Sequence, residues 1–145
     1  MSDGKDRAFA QPVHKRRQHN EVGRKRRILV VDDDEGIRAL LEECLERWGY
    51  SVDVARNGVD GVSKAESRPI DLVITNYLMP GLNGVDVSKT IKSLNAELPI
   101  VLMSGYDMID IGLGKTELVD GFLKKPFDLD ELKELLSKVS VQVEF

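Results

Sequence analysis

Cysteine and histidine are nearly missing from this 145-residue chain. Its single cysteine, Cys44, cannot close an internal disulfide, and both histidines, His14 and His19, lie near the N-terminus. A Cys/His zinc site, a Cys–His nucleophile and a Ser–His–Asp triad are therefore excluded from the rest of the chain. Long hydrophobic runs are missing too. None approaches the roughly 18 residues a membrane helix needs, and the polar N-terminus lacks the apolar stretch of a secretory signal. The expectation is a cytoplasmic protein with no membrane partner.

What is present is enough for one ordinary domain: 41% of residues are hydrophobic and 32% charged. The net charge of −4 hides a division, because residues 1–27 carry nine basic and three acidic side chains, leaving −10 on the remainder. A basic arm over 1–26 is thus joined to an acidic globule over 27–140, with a short tail over 141–145. The arm has one aromatic residue, Phe9, and no amphipathic stripe. Its composition fits a solvated linker or disordered tail. Nucleic-acid binding through counterion release is the less favoured reading.

From Ile28 onward short apolar runs alternate with amphipathic segments. Ile28–Val31, Leu72–Thr75 and Ile100–Met103 are almost continuously apolar and β-rich, as parallel strands covered on both faces require. Val52–Ala55 alternates, which places it at a sheet edge, and Gly121–Leu123 supplies a fifth strand. Between them, Asp34 is placed to cap a helix with the stripe Ile37, Leu40, Leu41, Cys44, Leu45 and Trp48, and Cys44 reads as a small buried core residue. Asn57 opens a weaker helix (Val59, Val62, Ala65), and Asn83 one with Val87, Ile91 and Leu94. Asp128, with Glu131 as its capping-box partner, opens the last (Leu129, Leu132, Leu135, Leu136, Val139). Segment 107–116 resists assignment. Gly112 and Gly114 each cost about 1 kcal/mol in a helix interior, so a helix there is expected to be short or frayed and the segment the most mobile of the globule.

Five strand–helix units with short connections imply an α/β, doubly wound, five-stranded parallel sheet, and such sheets bind ligands beyond the strand C-termini at the switch point. The polar residues at those ends are Asp32, Asp33 and Asp34, then Asn76, Ser104, and Lys124 with Lys125. Crowded carboxylates call for a cation, and Mg2+ suits one or two carboxylates plus a phosphoryl oxygen. A lysine ammonium and a serine hydroxyl from the far strands would complete a phosphoryl-transfer pocket.

The segments ILVVDDDEGIRALL, DLVITNYLMPGLNG, PIVLMSGY and GFLKKPFDLDEL, in that order and spacing, resemble the receiver domain of bacterial two-component response regulators from about Arg27 to Val139. The resemblance implies a flavodoxin-like (βα)5 fold with strand order 2-1-3-4-5, and a signalling module rather than an enzyme. It implies that Asp33 binds magnesium directly and Asp32 mostly through water, with the Leu78 carbonyl as a further metal ligand. Ser104 matches the hydroxyl that contacts the phosphoryl group, Lys125 the conserved-type lysine and Phe122 the switch aromatic. Lys125-Pro126 resembles the family's cis peptide bond. Lys124 and Asp34 match no such role and read as solvated or capping residues.

The family's phosphoacceptor aspartate would stand at position 76, and this chain has Asn76. A carboxamide is nearly the same shape and still offers a carbonyl oxygen, but has no anionic oxygen to attack phosphohistidine. Weakened magnesium binding is expected with one charge fewer. Two explanations stay open: an aspartate-to-asparagine substitution that locks the unphosphorylated state of a phosphorelay protein, or a natural pseudo-receiver that binds partners without phosphorylation.

The implied partners are a histidine kinase or phosphotransfer protein docking on the first helix, and an output domain or partner, or a second copy, meeting the 107–136 face. No output domain follows residue 145, so the chain reads as a stand-alone receiver or a piece of a larger regulator or hybrid kinase. Asp32-x-Asp34 also resembles the nucleophile motif of haloacid-dehalogenase phosphatases, but Gly36 follows and no second acidic motif closes the site. Flavin binding is disfavoured because the first strand–helix turn is acidic and lacks a phosphate-cradling glycine loop.

Overall fold

Ile28, Leu29, Val30 and Val31 are all inaccessible to solvent, as a strand without polar alternation requires when both its faces are covered. The computed structural model describes residues 24–107 and 118–143, leaving aside the side chains of 140–143. Its elements are β1 (Arg27–Val31), α1 (Glu35–Arg47), β2 (Ser51–Ala55), α2 (Gly58–Ser67), β3 (Leu72–Asn76), α3 (Gly84–Leu94), β4 (Ile100–Ser104), β5 (Gly121–Lys124) and α4 (Leu129–Val143). The strands form one parallel sheet in the order β2-β1-β3-β4-β5. This is the doubly wound, flavodoxin-like order that the family resemblance implied. β3 and β4 are buried throughout, whereas the alternating β2 is half-exposed at one edge and β5 at the other.

The two-residue period of the strands sorts the apolar side chains onto opposite faces. Ile28, Val30, Leu72, Ile74, Val101 and Met103 pack against Leu41 and Leu45 of α1 and Leu132 and Leu136 of α4. Leu29, Val31, Val73 and Ile100 pack against Val87 and Ile91 of α3, with Val62 and Ala65 of α2 at the margin. Helices therefore cover both faces, and a right-handed crossover can deliver each to its side.

The caps lie where the sequence places them. The Asp34 carboxylate accepts from the N–H groups of Gly36 and Ile37, and Asn57 Oδ1 accepts from Asp60 N. Asn83 and Asp86 form a reciprocal capping box, as do Asp128 and Glu131 at the start of α4. Each is worth about 1 kcal/mol. Together they fix where the loops at the strand C-termini end.

Some expectations from helical periodicity fail. Leu40 is 49% exposed and Val59 68% exposed, although both sit in apolar stripes, and Leu94 at the end of α3 is 53% exposed. Cys44 is half-buried rather than a core residue. A helix stripe is wider than the strip of sheet it covers, so residues at its margin face solvent. The segment 107–116 falls, apart from Asp107, outside the described residues.

At the opposite end of the sheet, Arg24 pairs with the buried Asp71 at 3.0 Å. The same carboxylate accepts from Arg27 N at 2.8 Å. Arg24, assigned to the arm by composition, is thus tied to the domain. α4 likewise runs on to Val143, past residue 140.

Candidate functional site

Strand order brings β1 and β3 side by side at the point where the winding reverses, with β4 and β5 beyond. Backbone pairing continues past the assigned strand ends. Asp32 N donates to Ala55 O at 3.1 Å, Tyr77 N to Met103 O at 2.8 Å and Lys125 N to Ser104 O at 2.7 Å. These bonds hold Asp32, the backbone beyond Asn76, and Lys125 as firmly as the sheet itself, which a reactive constellation needs. The strand period also places the three on the face that carries Val30, Ile74 and Leu123.

Their side chains meet. Lys125 Nζ donates to Asn76 Oδ1 at 2.9 Å and stands 3.8 Å from Asp32 Oδ2. Asn76 Nδ2 donates to the Leu78 carbonyl at 2.9 Å. Because an ammonium only donates and a carbonyl only accepts, the amide can satisfy both neighbours in this orientation alone. The Lys125–Pro126 bond is cis.

Asp32 has no exposed surface. Its Oδ1 accepts from Asp34 N at 3.0 Å, while its Oδ2 is buried with no hydrogen bond. Burial pushes its carboxyl above the ordinary aspartate value, and Asp33 beside it adds to the push; the Asp34 N–H and Lys125 pull the other way. A folded-state value above the unfolded one means that the stability tied to Asp32 is fully present below about 3.9, the ordinary aspartate value. It is lost as pH rises through the raised value. Asp32→Asn is therefore expected to gain on the parent protein in urea midpoint on going from acidic to neutral pH. Parallel urea titrations would check this, and a pH-independent difference would contradict it.

Ser104 is buried at the end of β4, and its Oγ accepts from Tyr106 N at 2.9 Å rather than joining the Asp32–Lys125–Asn76 group. Asp33 is exposed at the rim. The Leu78 side chain is 63% exposed while its carbonyl turns inward to Asn76. Phe122 is half-buried on β5, in register with Leu102. Lys124, read as solvated, is paired with Asp107 at 2.7 Å. Asp34 caps α1 as expected.

Sequence reading missed other parts of the site. Arg38 Nη1 donates to the Asp32 carbonyl at 2.7 Å from the first turns of α1. Tyr77 and Tyr106 meet edge to face with ring centres 6.2 Å apart. An open cleft of about 640 Å3 beside Asp33 is lined also by Arg38, Arg56, Asn57, Pro80 and Leu82. The loops after β1, β2 and β3 form it, and no spacing in the sequence announces that three separate loops converge.

Among the described residues no group of three or more acidic, His or Cys side chains is placed to hold a metal ion. Two carboxylates remain, Asp32 and Asp33, and the orphaned buried Oδ2 of Asp32 is the kind of atom an oxygen-preferring dication satisfies. That half of the site fits magnesium. In the other half, the Leu78 carbonyl and Asn76 Oδ1 are already engaged by hydrogen bonds.

A doubly wound parallel sheet with an acidic pair at the switch point and a lysine just past the last strand is the layout of a receiver-type signalling domain. The chain belongs to the response regulator receiver domain family, whose profile matches residues 28–137. It is 33% identical over 115 residues to sporulation initiation phosphotransferase F of Bacillus subtilis, covering 77% of this chain and 91% of that one. It is 35% identical over 113 residues to the transcriptional regulatory protein ZraR of Klebsiella oxytoca, which spans 77% of this chain but only 25% of ZraR. The chain thus spans about a quarter of the ZraR proteins it matches. Among solved structures, the response regulator TrrA of Thermotoga maritima, in complex with Mg(2+)-BeF, matches with a TM-score of 0.72 and 38% identity, covering 79% of this chain and 98% of that one. The receiver domain of the hybrid histidine kinase CckA matches with a TM-score of 0.65 and 30% identity, over 78% and 97% of the two chains.

Receiver domains are signalling modules that bind Mg2+ and interact with histidine kinases or phosphotransfer proteins and with output domains. No described helix is long and apolar enough to cross a membrane.

Proposed function

We propose that this chain is the receiver of a phosphorelay in which position 76 is the acceptor, and that Asn76 holds it in the unphosphorylated state. The observation that carries the reading is the contact of Lys125 with both Asn76 Oδ1 and Asp32 at the switch point. Remove the amide nitrogen in favour of oxygen, and an anionic nucleophile stands against an ammonium placed to balance charge on an incoming phosphoryl group.

In the Asn76→Asp protein a carboxylate oxygen attacks phosphorus, and the P–N bond of the donor phosphohistidine breaks. Lys125 holds the negative charge that collects on the transferred group, and Ser104, once its hydroxyl turns from Tyr106 N, contacts a phosphoryl oxygen. Magnesium, when bound at Asp32 and Asp33, would supply further charge neutralisation. In the chain as it stands the amide nitrogen lone pair is delocalised and the oxygen is neutral, so the first step has no nucleophile.

Partner contacts follow the same reading. A histidine kinase or phosphotransfer protein docks over α1, where Leu40 is an exposed apolar side chain. The output domain, output partner or second copy takes the 107–136 face, of which 108–117 lie outside the described residues.

Incubation with acetyl phosphate and magnesium, followed by intact-mass spectrometry, tests the proposal. The Asn76→Asp protein is expected to gain the mass of one labile phosphoryl group, and the Asn76 protein none. A revertant that gains nothing overturns the acceptor assignment and points to a receiver that signals by partner contacts alone.

A further inference from the structure

The two hydrogen bonds of Asn76 join three parts of the fold. Nδ2 reaches the Leu78 carbonyl in the loop between β3 and α3, and Oδ1 receives Lys125 from the end of β5. A carboxylate at position 76 can keep the second bond but not the first, because neither of its oxygens carries a hydrogen. Two acceptors would then face each other where a donor and an acceptor now meet. Oxygen pairs held this close are satisfied by separating or by sharing a cation.

We propose that the Asn76 carboxamide substitutes for the divalent cation in this chain, closing the joint between β3, loop 77–83 and β5, so that the loop is ordered without metal. The inference deepens the receiver reading and rests on it for the place of the cation. Three observations carry it. The amide orientation is forced by chemistry rather than chosen, since Lys125 can only donate and Leu78 O can only accept. Both bonds are 2.9 Å long and lie at a residue only 8% exposed, where an unmade hydrogen bond is not replaced by bulk water. In the central group Asp32 Oδ2 is buried without a hydrogen bond, with Lys125 Nζ 3.8 Å away. The Leu78 carbonyl and Asn76 itself are satisfied by hydrogen bonds, and Asp32 Oδ2 is not.

It follows that metal dependence is a property of the residue at 76 and not of the loop. Asn76 makes the loop independent of magnesium, while aspartate makes its order conditional on the cation.

The test compares the Asn76 protein with Asn76→Asp and Asn76→Ala, each in EDTA and in excess magnesium, by thermal melting and by hydrogen exchange of the amides in 77–83. The Asn76 protein is expected to melt within about 1 °C in the two conditions. In EDTA, Asn76→Asp should melt lower by about 4 °C or more and exchange faster over 77–83, with magnesium restoring most of both losses. Asn76→Ala should show the faster exchange without the magnesium rescue, which separates the lost amide from the added charge. The proposal is overturned if Asn76→Asp in EDTA melts and exchanges like the parent, if Asn76→Ala keeps parental protection at 77–83, or if magnesium raises the melting temperature of the Asn76 protein as much as that of the revertant. Phosphoryl gain by the revertant is read separately by mass. Loss of that gain with the magnesium pattern intact sinks the acceptor reading and leaves the joint standing, and the reverse pattern does the opposite.

Discussion

Lys125→Ala, made in the Asn76→Asp background, is expected to slow phosphoryl uptake from acetyl phosphate by about 100-fold or more, the usual loss when one donor to developing anionic charge is deleted. Lys125 Nζ lies 2.9 Å from the acceptor side chain, and its own backbone is held by the bond from Lys125 N to Ser104 O at 2.7 Å. The ammonium is therefore positioned before the reaction and costs no reorganisation during it. Lys125→Arg keeps the charge, but its planar fork does not reproduce a compact ammonium at that distance, so only partial recovery is expected. The rate of mass gain, with circular dichroism to show that the variants remain folded, checks both. A rate for Lys125→Ala within threefold of its parent would remove Lys125 from the chemistry.

Gly84→Ala is expected to destabilise the domain by about 2–3 kcal/mol, within the range for overpacked interiors. The methyl group would fall on the Asn76 carbonyl oxygen, the Leu102 side chain and the Tyr77 backbone. None of these can yield easily, since Asn76 and Leu102 are strand residues buried in the middle of the sheet. Gly84 N also donates to Tyr77 O at 2.7 Å, so displacing α3 would break the bond that closes the site loop. Gly105, where an added methyl group meets nothing within 4 Å, is the control. Gly105→Ala should change stability by no more than about 0.5 kcal/mol, as surface substitutions do. Urea melts of the two variants give the comparison, and equal midpoints would mean that α3 shifts without cost.

The elements were legible where a local rule decided them. Asp34, Asn57, Asn83 and Asp128 cap their helices because each side chain bonds to backbone only a few residues away. Leu40 and Val59 were misread because periodicity tells which residues share a stripe, not how much of that stripe a neighbour covers. The pocket residues were legible by type and strand position. Their partners were not. Nothing in the chain's order says that Asn76 Nδ2 finds Leu78 O, that Arg38 turns back to the Asp32 carbonyl, or that Arg24 of the basic arm reaches Asp71 at the far end of the sheet.

By itself the sequence determined the order of strands and helices, the covered and half-covered strands, the helix starts and the chemical kinds gathered at the strand ends. These follow from interactions within a few residues and from the periods of strand and helix. Tertiary structure alone decided which of those groups touch. Asp32, Asn76 and Lys125 lie at least 44 residues apart in every pair, and only strand pairing brings their atoms within reach. It also decided that Asn76 spends its amide hydrogen on a carbonyl of its own loop, because the fate of a hydrogen-bond donor depends on which acceptor the fold places within about 3 Å.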